Sequence, residues 1–377
     1  NFYPIMSRTF RIILCLTFLS SVSFSQDNWK VRRVDVKDAP VAGELSALIK
    51  SYEILPLDNN PVAYVSNPGS KIFTDSLILI SDGGKRIIIF DNSGKYLNSI
   101  SKQGRGPDEY QNINDFFYSS SDRLVSIIDN DKIKRYKLNG DFVSEKRIGF
   151  RANRVTSFGP DSYIIEKVIP SGDPISDYYI RLTGKDFKTK SARFPVKPLT
   201  GPGFGTEGQR SRTQINGSHA YFFSYFGDTV FHIDNESIRP VYAFKYGKKI
   251  ITVTNGTGEY DFDPEQAYRY LSYIETGDLN ILFFVYGNRS YAFAFNISGS
   301  LSKTYNASFT IGDVVDGKGV LLMDVMMLGK LIEGMDREKT KCANREVLER
   351  ALSDKENGSQ CFIKVSFLPS LPLSHAD

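Results

Sequence analysis

Alternating apolar runs, broken by short polar turns, set the rhythm of this chain. Five segments share one pattern: "IIIFDNSGKYLNSI" from Ile87, "IKRYKLNGDFVSEKRI" from Ile133, "YIRLTGKDFKTKSARF" from Tyr179, "VFHIDNESIRPVYAF" from Val230 and "YAFAFNISGSLSKTY" from Tyr291. Each reads as a strand, a turn rich in Asn, Asp, Gly or Ser, and a second strand. Those turn residues tolerate positive φ and the flanking runs alternate, which is hairpin chemistry. A further apolar run precedes each hairpin: "SLILISD" (76–82), "RLVSIIDN" (123–130), "SYIIEKV" (162–168), "HAYFFSY" (219–225) and "NILFFVYG" (280–287). With an innermost strand added, each unit becomes a four-stranded sheet. The hairpins begin roughly 46 to 61 residues apart, near the period of about 40–50 residues of a propeller blade.

The segment from about Ser308 to Leu368 is long enough for a sixth blade. It holds "GVLLMDV" (319–325), a helical insertion around "NREVLERAL" (344–352) and a strand "CFIKVSFL" (361–368). A propeller closes its ring by pairing strands from both chain ends, which leaves no free sheet edge at the seam. "YEILPL" (52–57) is the expected N-terminal contribution. The expected fold is therefore all-β: a six-bladed β-propeller of four-stranded blades over residues 45–377, with a short helical insertion near the C-terminus.

Composition agrees with strands. Tyr and Phe number 21 and 27 among 377 residues, with a single Trp, Trp29, and such residues pack well on a pleated surface. Met6 is followed by Arg8, Arg11 and the apolar "IILCLTFLSSVSFS" before Gln26. This reads as a secretory signal over residues 1–25, with residues 1–5 as extra chain ahead of the initiator. An uncleaved anchor is the alternative, although the run is short for a membrane span. Residues 26–44 then form an N-terminal extension, and the expected location is periplasmic or secreted, with no stable membrane span after cleavage. Removing Arg8 and Arg11 from 47 basic and 43 acidic residues leaves the chain near neutrality, which argues against a nucleic-acid partner. Cys342 and Cys361 remain. They are either a disulfide, worth about 3 kcal/mol on the chain-entropy account, or two buried thiols.

Three stretches bear a specific likeness: "LSALIKSYEILPLDNNPVAYVSN", "IIIFDNSGKYLNSISKQGRGPDEY" and "FGDTVFHIDNESIRPVYAFKYGK". They resemble landmarks of a six-bladed, NHL-like β-propeller family of Bacteroidetes envelope proteins that carries a "GxGPGEY" loop and a "DTVY" segment. Asp108 stands where that family usually has glycine, and the signal lacks a lipid-bearing cysteine context. The resemblance implies the fold and an envelope location, and no particular reaction.

The "GRGPDEY" loop has two readings. As a staple between blades, Gly104, Gly106 and Pro107 shape the backbone. Arg105 then forks onto Asp108, Glu109 or a neighbouring carboxylate, and Tyr110 buries its ring with its hydroxyl on a polar partner. As a binding surface, Arg105, Asp108, Glu109 and Tyr110 face a ligand, with Asp228 of "GDTVF" as a further candidate. Asp228 also fits a plain turn, its side chain on backbone N–H groups.

Catalytic signatures are sparse. His219 and His232 fall on or beside strands of one blade and His375 lies in the tail, a poor metal set. No EF-hand-like ligand string appears. "GPGFGTEG" (201–208) lacks the Lys-Ser/Thr pair of a phosphate loop, and no G-x-S-x-G elbow is present. The repeated Ser-x-Asp-x-Gly-x-Thr-Trp turns of sialidases are missing. No metal and no cofactor is expected. The reading is a non-enzymatic binding or scaffold propeller, its ligand a glycan, a peptide or a partner envelope protein. The alternative is a hydrolase or lyase using carboxylates and Arg in the channel, which needs two acids of separated pKa facing one pocket.

Overall fold

The computed structural model of the chain describes residues 31–35, 41–159, 162–167, 178–195, 212–216, 219–223, 228–234, 237–245, 252–253, 260–261, 269–286, 289–307, 309, 311, 313–315, 317–324, 327–329, 333, 341–353 and 360–372. The signal segment 1–25, Trp29, the "GPGFGTEG" stretch and His375 lie outside the described residues. Six antiparallel four-stranded sheets follow one another along the chain as the blades of a propeller.

Blade one runs through Pro68–Phe73, Leu77–Asp82, Arg86–Asp91 and Tyr96–Ile100. Blade two runs through Asp115–Ser119, Leu124–Asp129, Lys132–Lys137 and Phe142–Arg147. Blade three comprises Arg154–Gly159, Ser162–Glu166, Tyr178–Thr183 and Thr189–Pro195, and blade four Arg212–Asn216, His219–Phe223, Thr229–Ile233 and Ile238–Lys245. Blade five is Arg269–Thr276, Leu279–Tyr286, Arg289–Asn296 and Ser302–Asn306. Blade six combines Asp313–Val315, Lys318–Asp324 and Gln360–Phe367 with Ile49–Pro56 from the other end of the chain. Ile54 pairs with Ile363 and Pro56 with Cys361, so the ring closes through a strand that overlaps the expected "YEILPL". The helix Arg345–Ser353 forms where the sequence reads helical and buries Leu348 and Ala351.

The blades stack face to face, and this explains the apolar runs. A middle strand has a blade on both sides, so successive side chains point into two different buried interfaces. Leu77 and Leu79 pack toward blade two, whereas Ile78 and Ile80 pack toward blade six. The core is accordingly divided into clusters, one at each junction between blades. Outer strands lose this double burial. Phe142–Arg147 reads "FVSEKR" and is exposed over most of its length.

Two described strands of the N-terminal extension pair with blades. Arg32–Asp35 adds in parallel to the outer strand of blade four, and Val41–Glu44 to that of blade five. Lys341–Cys342 does the same on blade six, beside Ile49–Pro56. Both N-terminal strands belong to the compact unit Arg32–Asp377. No helix among the described residues is long and apolar enough to cross a membrane.

Candidate functional site

The "GRGPDEY" loop leaves the outer strand of blade one and delivers the chain to the inner strand of blade two. Tyr110 anchors it. Its ring is fully buried and meets Tyr136 edge to face at 5.9 Å. Its hydroxyl accepts from the Lys102 N–H (3.0 Å), with the carbonyls of Lys85 (2.8 Å) and Ile100 (3.0 Å) both in donating range. Burial pushes the Tyr110 hydroxyl up to about 12, so it stays protonated and can donate. Blade two grips the same loop from the other side. Lys134 Nζ donates to the Pro107 carbonyl (3.0 Å) and the Tyr136 hydroxyl to the Asp108 carbonyl (3.0 Å).

Within the loop, the Gly106 N–H donates to Glu109 Oε2 (2.7 Å). A Cβ on Gly104 would sit 1.9 Å from that same oxygen, so a side chain there would displace the Glu109 carboxylate from the Gly106 N–H. Arg105 corrects the sequence reading: it is exposed and makes no hydrogen bond or ion pair among the described residues. The cation near Asp108 is instead Lys102, at 3.7 Å. The staple is made by Tyr110 and Glu109 on the loop and by Lys134 and Tyr136 opposite.

The remaining sequence candidates are scattered. Asp228 is exposed at a strand start, where it accepts from the Thr229 hydroxyl (2.7 Å) and its carbonyl takes the Phe244 N–H (2.7 Å). His219 and His232 do lie together, with ring centroids 5.3 Å apart. Burial lowers the His232 pKa, and the charges of His219 and Arg239 lower it further. The nearby Tyr221 hydroxyl donates to Glu275. The described residues contain no group of three or more metal-ligating side chains. Cys342 and Cys361 are both free thiols; the disulfide alternative is not realised. Their strands flank Ile49–Pro56 on opposite edges, so a whole strand separates them.

A different set of residues converges at the propeller axis. The first strands of blades one, two, three, four and six line a cavity of about 720 Å³ there. Side chains of this wall reach from each blade to the next. Asp115 on blade two accepts the Val155 N–H of blade three (2.8 Å) through Oδ2. Glu166 on blade three accepts the Thr213 N–H of blade four (3.2 Å), and its other oxygen lies 3.4 Å from Arg154. Gln214 on blade four accepts the Tyr273 N–H of blade five (2.9 Å) through Oε1. The Ser272 hydroxyl of blade five donates to the Ile311 carbonyl, just ahead of blade six. Asp313 of blade six pairs with Lys71 of blade one at 2.8 Å. Ser70 of blade one faces Asp115 and completes the circuit.

Asp115 is the electrostatic exception in this wall. Burial pushes its carboxyl up to about 6, outweighing the Ser70 hydroxyl, the N–H groups of Val155 and Phe116 and the Arg154 charge, all of which favour ionisation. Its Oδ2 takes the Val155 N–H, and the Ser70 hydroxyl is the other side-chain hydrogen-bonding neighbour of the carboxyl. Sequence reasoning missed Asp115, Thr213 and Gln214. The available signal was slight: a polar residue in the opening positions of each innermost strand, as in "NDFFY" and "RTQIN".

The profile of a domain of unknown function, DUF4934, matches residues 31–326. Among solved structures, the chain is similar to a candidate exported protein of Bacteroides fragilis NCTC 9343, with 16% identity and a TM-score of 0.69. That likeness covers 90% of this chain and 100% of that one. BamB from Moraxella catarrhalis is similar at 14% identity and a TM-score of 0.37, over 77% of this chain and 82% of that one. Among curated proteins, none matches. At such identities the likeness to solved structures is one of fold.

Proposed function

The chain belongs to the DUF4934 family, and from that premise we propose that it is an exported binding or scaffold propeller of the cell envelope, holding its ligand at the central channel. One observation carries the reading: residues of neighbouring blades line one cavity of about 720 Å³ with charged and polar side chains, among them Lys71, Asp115, Arg154, Glu166, Thr213 and Gln214. A concave space of that size with a few convergent polar groups is the usual form of a small-ligand site. The secretory reading of residues 1–25 and the exported description of the Bacteroides fragilis neighbour support the location. A glycan, a peptide or a partner envelope protein all remain as ligand classes. The loop residues Arg105 and Asp108 and the distant Asp228 have lesser roles in this reading.

The hydrolase or lyase alternative keeps one supporting observation. Asp115, raised to about 6, shares its cavity with Glu166 and Asp313, and an acid tuned near neutrality suits proton transfer. A second, free carboxylate is needed as base. Glu166 has both oxygens engaged and Asp313 is held by Lys71. Binding is therefore preferred over turnover.

The test immobilises the protein on glycan and peptide arrays beside Asp115→Ala and Asp228→Ala variants. Capture of an array member, lost with Asp115→Ala and kept with Asp228→Ala, is the expected result. Chemical conversion of a captured compound, abolished by Asp115→Asn, would replace the binding reading with the enzymatic one.

A further inference from the structure

We propose that the outer edge of blade two is a docking edge for an acidic extended segment of a partner protein, which adds in parallel to Phe142–Arg147 as a fifth strand. This surface is separate from the channel. The fold itself shows that the position accepts a strand. Arg32–Asp35 lies in parallel on the outer strand of blade four, Val41–Glu44 on that of blade five and Lys341–Cys342 on that of blade six. Blades one, two and three have four strands each among the described residues, and their outer strands have no further strand beside them. Such an edge is a row of backbone donors and acceptors, and main-chain pairing along it is a recurring way to hold an extended peptide.

Blade two has the most open of these three edges. Val143–Arg147 is exposed at every position. Tyr96–Ile100 of blade one is half-buried or buried except at Leu97, and Ser191 and Ala192 of blade three are half-buried. Val143, 43% exposed, adds an apolar contact to the edge.

Charge selects the occupant. The outer strand pairs of blades two and three, Lys132–Arg147 and Tyr178–Pro195, carry eleven Lys or Arg against three Asp or Glu, whereas the same pair in blade four, Thr229–Lys245, carries two of each. The few acids are already engaged. Glu145 lies 2.8 Å from both Lys132 and Lys134, and Asp186 lies 3.8 Å from Lys188. Lys146, Arg151, Lys190 and Arg193 are exposed and make no ion pair among the described residues. Lys146 lies over the Phe187 ring at 5.5 Å, which joins the edge of blade two to the turn of blade three beside Lys188. A second copy of this edge would bring Lys146 and Arg147 against the same cations, and lysine on a free edge is a known guard against such pairing. A strand carrying Asp or Glu adds opposite-charge cross-strand pairs to the backbone bonds. Rejection of basic strands and acceptance of an acidic one therefore have the same origin. The chain's own caps follow this chemistry: Asp35 is in register with Lys245, and the Glu44 carboxylate accepts from Asn306 Nδ2 at 3.1 Å.

The experiment titrates the full chain at low ionic strength with fluorescein-labelled EVEVEVE, KVKVKVK and SVSVSVS, reading anisotropy. EVEVEVE methylated at every backbone nitrogen keeps the charge and loses the donors. Phosphatidylglycerol vesicles serve as an anionic surface without a strand. Lys146→Glu is measured in parallel, with Arg289→Glu on blade five as control. Amide hydrogen exchange on the unaltered protein reads the edge even if a variant fails to fold. The expected result is binding of EVEVEVE, weakened about fivefold or more by Lys146→Glu and unchanged by Arg289→Glu. Protection should rise in 142–147, and the methylated, basic and neutral peptides should bind far more weakly. Equal binding of the methylated peptide, or of the vesicles, without protection in 142–147 would overturn strand addition in favour of a general anion-binding surface. Protection confined to 96–100 or 189–195 would overturn the assignment to blade two. No binding of EVEVEVE would overturn the proposal outright, leaving the cations as a guard on a solvated edge; none of these results bears on the channel.

Discussion

Tyr110 carries the loop between blades one and two, and the consequence is measurable. Tyr110→Phe keeps the ring against Tyr136 but strands the Lys102 N–H and a carbonyl in a dry site. The expected loss is about 1–3 kcal/mol in denaturant melts. Arg105→Ala, at an exposed tip without partners, should stay within about 0.5 kcal/mol of the unaltered protein. A large effect of Arg105→Ala with none from Tyr110→Phe would invert this assignment. The loop's importance was legible in its clustered glycines, proline and charges. The identity of the anchor was not, because local sequence does not say which side chain the turn points inward. Asp115 makes a second residue-scale case. Its pKa rises from 3.8 to about 6 on folding, so the folded state holds its proton more tightly than the unfolded one. Below about pH 4 the carboxyl is protonated in both states and costs nothing, and stability is lost as pH rises from about 4 to 6. The penalty above that window is on the order of 2–3 kcal/mol. Asp115→Asn should therefore gain stability relative to the unaltered protein as pH rises through this window. A difference in melting temperature that is flat from pH 4 to 7 would contradict the burial argument.

Strands in the middle of blades were the most readable elements, because double burial writes them as continuous apolar runs such as "RIIIF" and "NILFFV". The hairpin turns were readable for a related reason. Gly94 and Gly140 occupy equivalent turns at φ of 88° and 90°, a region open to glycine. Their surroundings differ. A Cβ at Gly140 meets nothing within 4 Å, whereas one at Gly94 would stand 2.0 Å from the Pro56 carbonyl oxygen. Gly140→Ala should cost roughly 1 kcal/mol through strain alone. Gly94→Ala should cost clearly more, since backbone of the closing strand must move. Equal costs in paired melts would show that the seam near Pro56 yields easily. The short fifth strands were not readable. "RRVD" and "VAGE" lack a periodic signal, and their partners, such as Tyr242 and Thr304, lie more than two hundred residues away. Three of the blades thus have their outer edge capped by the chain itself.

At the scale of the whole molecule, five hairpins marked five blades, and the length of chain after them left room for the sixth. The channel wall was beyond reach, because its residues meet only once the ring is closed. Closure also decides the thiols. Cys361 is buried in the seam with its pKa pushed up to about 12 by burial and by Asp324, while Cys342 is half-exposed on the capping strand. Native-state alkylation near pH 8 should modify Cys342 and spare Cys361, and reductant should leave the melting temperature unchanged. A reductant-sensitive melt would mean that a bridge forms after all. The pairing of Ile49–Pro56 with Gln360–Phe367 has one more consequence, in time. A ribosome adds about 5–20 residues per second, so the strand that seals the ring waits on the order of tens of seconds for a partner made some three hundred residues later. Throughout that interval the nascent chain can stack blades but cannot lock them. The innermost strands, the last of them Asp313–Val315, are all made before that seam can lock, so a chain cut short before Gln360 carries every strand of the channel wall in a ring that cannot be sealed.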